Sequence, residues 1–127
     1  MPALEPLRGL RVVASPEALD GARWIGEVTL LRLAPDEALG IDAVGVVLDD
    51  PDAIVEPEAS FVGAVLTPDE LDAVAAHVEW PLPTERGVLA QGKIGGVPTK
   101  LLGGDPALLI TQAAYAHELA DRLGWLR

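Results

Sequence analysis

The chain has 127 residues, half of them apolar but few aromatic, with 9 basic against 20 acidic residues and a formal net charge of -11. That length suits one domain with a single core, and the acidic balance argues against nucleic-acid binding and against an anionic membrane surface. Cysteine is absent, which removes disulfides, thiolate metal sites and a cysteine nucleophile. No apolar run resembles a signal peptide, and none approaches the roughly 20 residues of a membrane helix. A cytoplasmic protein is expected.

Met1 to Arg8 holds two prolines and reads as an extended lead-in. Leu10 to Ala14 reads as a short strand. Ser15-Pro16-Glu17 then starts a helix, with a serine cap, proline in the first position and an acid in the first turn. That helix is expected to reach about Arg23. Val28 to Ala34 reads as a strand, Pro35-Asp36 as a turn, and Glu37 to Ile41 as the antiparallel return. Gly40 and Asp42 suggest a bend or bulge before a further strand at Val44 to Asp49. Asp49 to Glu58 carries five carboxylates and two prolines. It lacks the spacing of an EF-hand loop, so a solvated loop enclosing a short strand at Ala53 to Glu56 is the reading. Ser60 to Leu66 is a strand. Thr67-Pro68-Asp69-Glu70 has the form of a capping box, and Leu71, Val74, Ala75 and Val78 share one face of the helix that follows. Prolines between Glu79 and Arg86 end that helix.

Val88 to Thr111 is cut by two glycine-rich breaks into three short apolar runs, the pattern of an antiparallel meander. Gly95-Gly96 is a two-residue hairpin turn. It sets Ile94 opposite Val97, Gly92 opposite Thr99 and Ala90 opposite Leu101. Alternation then puts Val88, Ala90, Ile94, Val97, Thr99 and Leu101 on one face. A four-residue loop from Gly103 to Pro106 would add Leu108 and Ile110 to it. The other face is expected to be wet and to carry Gln91, Lys93 and Lys100. Gln112 to Leu123 forms a terminal helix with Tyr115, Leu119 and Leu123 along one stripe. The whole is expected to be α+β: a single domain, with 1–27 as lead-in strand and short helix. Residues 28–127 would form a ferredoxin-like split-βαβ core, its antiparallel sheet covered on one face by two helices.

Residues able to carry chemistry are sparse. His77 and His117, the only histidines, lie off the apolar stripes of their helices and have no partner motif. No zinc-ligand spacing is present, and no metal site is expected. Gly92 to Lys100 departs from a phosphate loop, because its glycines join two strands rather than a strand and a helix. Lys93 and Lys100 are the only lysines; as diagonal neighbours, with Gln91 opposite Lys100, they offer a cationic spot to a carboxylate of a ligand or partner. The alternative is that they simply keep a sheet face solvated. Trp80 is placed to fold back on the core. Trp125, near the C-terminus, is either a partner anchor or part of its own core.

Four short stretches carry a family resemblance: Leu31 to Leu39 (LRLAPDEAL), Glu79 to Leu82 (EWPL), Gln91 to Leu102 (QGKIGGVPTKLL) and Tyr115 to Leu119 (YAHEL). From about Val28 on, their order resembles the gamma subunit of heterotetrameric sarcosine oxidase, and hence the wider aminomethyltransferase (glycine-cleavage T-protein) folate-binding fold. Against that pattern a shorter chain, with a reduced N-terminus and no second domain, is expected. No residue here is matched to the carboxylate of the family's folate pocket, so no catalytic residue is carried over. The resemblance implies a non-catalytic accessory subunit docking on a larger flavin- or folate-dependent enzyme. The alternative is a stand-alone binder of a folate-like or carboxylate molecule. Folate enters by resemblance only, and no covalently bound cofactor is expected.

Overall fold

The computed structural model describes residues 2–126. From the N-terminus the elements are β1 (Glu5–Pro6), β2 (Gly9–Val13), α1 (Pro16–Asp20), β3 (Arg23–Ile25), β4 (Thr29–Ala34), β5 (Glu37–Ile41) and β6 (Gly45–Val47). Then come β7 (Ile54–Glu58), β8 (Phe61–Leu66), α2 (Pro68–Ala75), β9 (Leu89–Ile94), β10 (Val97–Leu102), β11 (Ala107–Gln112) and α3 (Ala116–Arg122). Every strand pair is antiparallel, and helices are few, so the chain is α+β. It divides into two compact units: Leu7–Ala59, and the described part of Met1–Pro6 with Ser60–Arg127. The boundary expected at Val28 falls inside the first of these.

In the smaller unit the strand order is β4-β5-β2-β7, beside a two-stranded ribbon of β3 and β6. β2 is thus an interior strand and no lead-in. Val12 of β2 and Ala38 of β5 are cross-strand partners. They meet Ala18 and Leu19 of α1, with Trp24, Val46, Leu48 and Ala53 packed around them. The first helix ends at Asp20 rather than Arg23. The Gly21 N–H closes it onto the Glu17 carbonyl, and pairing of Arg23–Ile25 with β6 then turns Trp24 toward the core. The expected strand at Val44 to Asp49 shortens to Gly45–Val47 for the same reason: these are the residues that pair with β3, the Val44 N–H adding a bond to the Ile25 carbonyl. Asp42 does take a positive φ, 66°, but the irregular register lies between Arg32 and Ala34.

The acidic stretch has a structural use. The Ser15 and Asp52 backbone N–H groups donate to the Asp50 carboxylate at 2.8 and 2.9 Å. These two donors hold its pKa below the ordinary carboxylate value. Beyond it the strand runs Ile54–Glu58, two residues later at its end than expected, because it pairs with all of β2.

In the larger unit the order is β1-β8-β11-β10-β9. The first hairpin has the expected register: Ile94–Val97, Gly92–Thr99, Ala90–Leu101. The second does not. Leu102 pairs with Leu108 and Leu101 with Leu109, so Ala107 and Leu109 share the apolar face and Leu108 and Ile110 take the other. The reason is Gly103. Its N–H donates to the Val88 carbonyl at 2.8 Å and its carbonyl accepts from Gly87 at 3.0 Å. Gly103 continues the ladder with the β9 side, and the span between the paired Leu102 and Leu108 is one residue longer than the expected loop. Leu71 and Val74 of α2 and Leu119 of α3 join Ala64, Leu66, Ile94, Val97, Leu101, Ala107 and Leu109 in one buried cluster. Two threonines buried with the sheet are satisfied, Thr99 Oγ1 donating to the Val97 carbonyl and Thr111 Oγ1 to that of Pro98. The element succession is strand, helix, three strands, helix. A ferredoxin-like split βαβ runs strand, helix, two strands, helix, strand.

The capping box is present in full. Thr67 Oγ1 accepts from the Glu70 N–H at 3.2 Å, and the Glu70 carboxylate accepts from the Thr67 N–H at 2.9 Å. That second bond holds the Glu70 pKa below the ordinary value. A carboxylate with a lowered folded-state pKa contributes stability above its unfolded pKa, and the contribution is lost as pH falls through the folded one. The melting temperature of the protein is therefore expected to exceed that of Glu70→Gln near neutral pH, with the gap closing on acidification. A gap unchanged across the carboxylate range would sink this assignment. Thr67→Ala removes the hydroxyl half of the box, at about 1 kcal/mol.

Candidate functional site

Lys93 and Gln91 stand on β9, Lys100 on β10. Gln91 pairs with Lys100, and Lys93 pairs with Pro98, so the diagonal relation of the two lysines follows from the hairpin. Gln91, Lys93 and Pro98 are exposed and Lys100 is half-buried. The Lys100 ammonium lies 5.7 Å from the centroid of the Phe61 ring, within cation–π range and worth roughly 0.5–1 kcal/mol at such a site. Phe61 belongs to β8. Lys100 thus leans across β11, while Lys93 stands on the edge strand at the far end of the sheet order. The two cations are spread over the face.

That face is not uniformly wet. Alternation places Phe61, Val65, Leu89, Leu102, Leu108 and Ile110 on it with the lysines. Ile110 is fully buried, whereas Val65 is 61% exposed. A further feature is electrostatic. β8, β9, β10 and β11 contain both lysines of the chain and none of its 20 acidic residues.

Trp80 organises the edge of β9. Its Nε1–H donates to the Lys93 carbonyl at 3.0 Å, and its ring lies against Gly92, where an added Cβ would come within 2.7 Å of the indole. A glycine is needed here so that the ring can reach the backbone. The hairpin tip is tied down as well, the Gly95 N–H donating to the His77 carbonyl at 3.3 Å. Together His77, Glu79, Trp80, Lys93, Gly95 and Gly96 line a cleft of about 300 Å³. Sequence reasoning placed Trp80 on the core but missed this contact. Glycine inside a strand pattern is the available signal, since it marks close approach by another group.

Trp125 is half-buried and packs on the same core as Leu4 and Trp80. It also lines a shallow groove with Pro2, Leu4, His117 and Ala120. His77 and His117 are exposed. Among the described residues no three His, Asp or Glu side chains converge in a way that could hold a metal ion, and no helix is long and apolar enough to cross a membrane. Comparison of the chain with protein-family models and with curated proteins finds no match.

Proposed function

We propose that this chain is a non-catalytic accessory or binding subunit, acting in the cytoplasm, which docks on a larger flavin- or folate-dependent enzyme. The observation that carries it is charge segregation. In an acidic chain, the four strands β8–β11 hold both lysines and no acid, and the sheet's remaining strand, β1, adds a single one, Glu5 opposite Gly63. A carboxylate-bearing surface is attracted to such a face and repelled by the rest of the molecule. The short-motif resemblance to the sarcosine oxidase gamma subunit supplies the kind of enzyme. Affinity capture from the source organism's lysate tests it. The tagged protein is expected to retain a large flavin-absorbing or methyltransferase chain in fixed ratio, and Lys93→Glu with Lys100→Glu to release it. Recovery of the bare protein, or retention by the charge-reversed form, rejects the docking reading.

The cleft beside Trp80 favours a second reading, a stand-alone binder of a folate-like or carboxylate molecule. An indole wall next to a lysine suits a flat anionic ligand. Titration calorimetry with tetrahydrofolate separates the two, because heat from the isolated protein that Lys93→Glu abolishes belongs only to the second. No heat from either form removes the ligand.

A further inference from the structure

An open cleft of about 570 Å³ lies wholly within the smaller unit, lined by Gly21, Arg23, Val47, Leu48 and Asp49. That volume falls in the range of small-molecule sites. Its lining follows from the β3–β6 ribbon. Arg23 pairs with Val47 and Trp24 with Val46. Trp24 and Val46 pack on the core, so alternation turns Arg23 and Val47 outward. Val47 is 50% exposed. Leu48, half-buried against the same core, adds a second apolar side chain. Gly21, which ends α1, contributes backbone alone.

Two opposite charges line this cleft, and the fold uses neither. Arg11, Arg32 and Arg122 are held in ion pairs. Of the neighbouring acids, Asp20 is paired with Arg32, and Asp50 accepts from the Ser15 and Asp52 N–H groups. The side chains of Arg23 and Asp49 make no hydrogen bond or ion pair among the described residues, with each other or with any neighbour. Both are exposed. Unlike charges that share a cleft without meeting leave room for a molecule that carries one of each.

We propose that this cleft binds a free α-amino acid with an apolar side chain. Its carboxylate would lie on the Arg23 guanidinium, its ammonium on the Asp49 carboxylate and its side chain on Val47 and Leu48. The planar fork of arginine matches a carboxylate. The charge of the whole chain narrows the choice. A plain carboxylate is repelled by a molecule of net charge -11, and a plain amine has 20 acids to choose among. A zwitterion is neutral as a whole and gains most where both charges stand about one cleft. The site uses no residue of the larger unit and does not rest on the docking reading.

The test is an NMR titration of the full chain with leucine, read at the backbone amides. Three counterparts each lack one feature: N-acetyl-leucine the ammonium, leucinamide the carboxylate, and glycine the side chain. Leucine is expected to give saturable shifts at Arg23, Val47 and Leu48. N-acetyl-leucine and leucinamide are expected to bind about tenfold more weakly, each having lost one charge-assisted contact, and glycine more weakly than leucine. Arg23→Gln and Asp49→Asn change exposed side chains without partners, so the fold persists while leucine affinity drops about tenfold. Asp49→Asn should leave the residual affinity for N-acetyl-leucine unchanged, because that molecule has no ammonium to lose. Absence of a saturable shift up to about 10 mM leucine overturns the proposal. So does equal binding of leucine and its counterparts, or leucine binding unchanged in either variant.

Discussion

Leu109→Ala is expected to destabilise the larger unit by about 2–5 kcal/mol, the range for emptying a buried leucine site, whereas Leu108→Ala costs about 1 kcal/mol or less. Leu109 is fully buried and pairs with Leu101, itself fully buried, while Leu108 is half-buried on the other face. Equilibrium urea unfolding of the two variants reads the difference directly. The comparison is sharp because the two residues are neighbours of identical composition, so propensity and unfolded-state effects cancel. A larger loss for Leu108→Ala would mean that the four-residue loop closes the hairpin after all. Every side chain of β11 would then change face.

The contrast between the two hairpins shows what local chemistry can specify. Gly95-Gly96 admits one tight turn, and that turn alone sets the β9–β10 register, including Gln91 opposite Lys100. The Thr67 capping box is equally local, four residues long and complete in itself. The Gly103–Pro106 loop is not self-contained. Gly103 bonds to Gly87 and Val88, and an added Cβ there would sit 2.4 Å from the Glu85 carbonyl oxygen. Nothing near Gly103 in sequence announces this, and the register slipped by one residue. Distant pairings were similarly out of reach: β1 on β8, β3 on β6, β7 on β2. Each joins segments whose apolar patterns fit several partners equally well, so the choice is made by the packed whole.

The candidate site divides along the same line. That Lys93 and Lys100 share a face is a consequence of strand alternation and could be read from the residues. That Lys100 leans over Phe61 depends on β11 pairing with β8, a choice made 39 residues from the lysine in sequence. The absence of acids from β8–β11 was visible all along in the letters. It acquires meaning only when these four segments, separated in the chain by acidic stretches, are known to be neighbours in one sheet, whose remaining strand, β1, carries Glu5.

Gly92→Ala is expected to cost about 1–3 kcal/mol, as overpacking does in a well-filled site. In a Trp80→Leu background the same change is expected to be neutral or stabilising by about 0.5–1 kcal/mol, since alanine is preferred to glycine inside a strand. The sign change arises because the new Cβ would lie 2.7 Å from the Trp80 ring, and the three heavy atoms nearest to it all belong to that ring. A double-mutant cycle by urea unfolding isolates the coupling. An equal cost in both backgrounds would place the crowding elsewhere. The pair also reports on the candidate site. Trp80 holds the Lys93 carbonyl through its Nε1–H, and thereby fixes the exposed edge of β9 on which Lys93 and Gln91 stand. If that edge presents the docking face, Trp80→Leu should weaken capture of the partner enzyme while leaving both lysines in place. Gly92→Ala should do so too, by displacing the indole. The Leu109→Ala variant, studied where it remains folded, should not. Loss of capture in step with stability alone, without regard to which residue is changed, would separate the face from the function assigned to it.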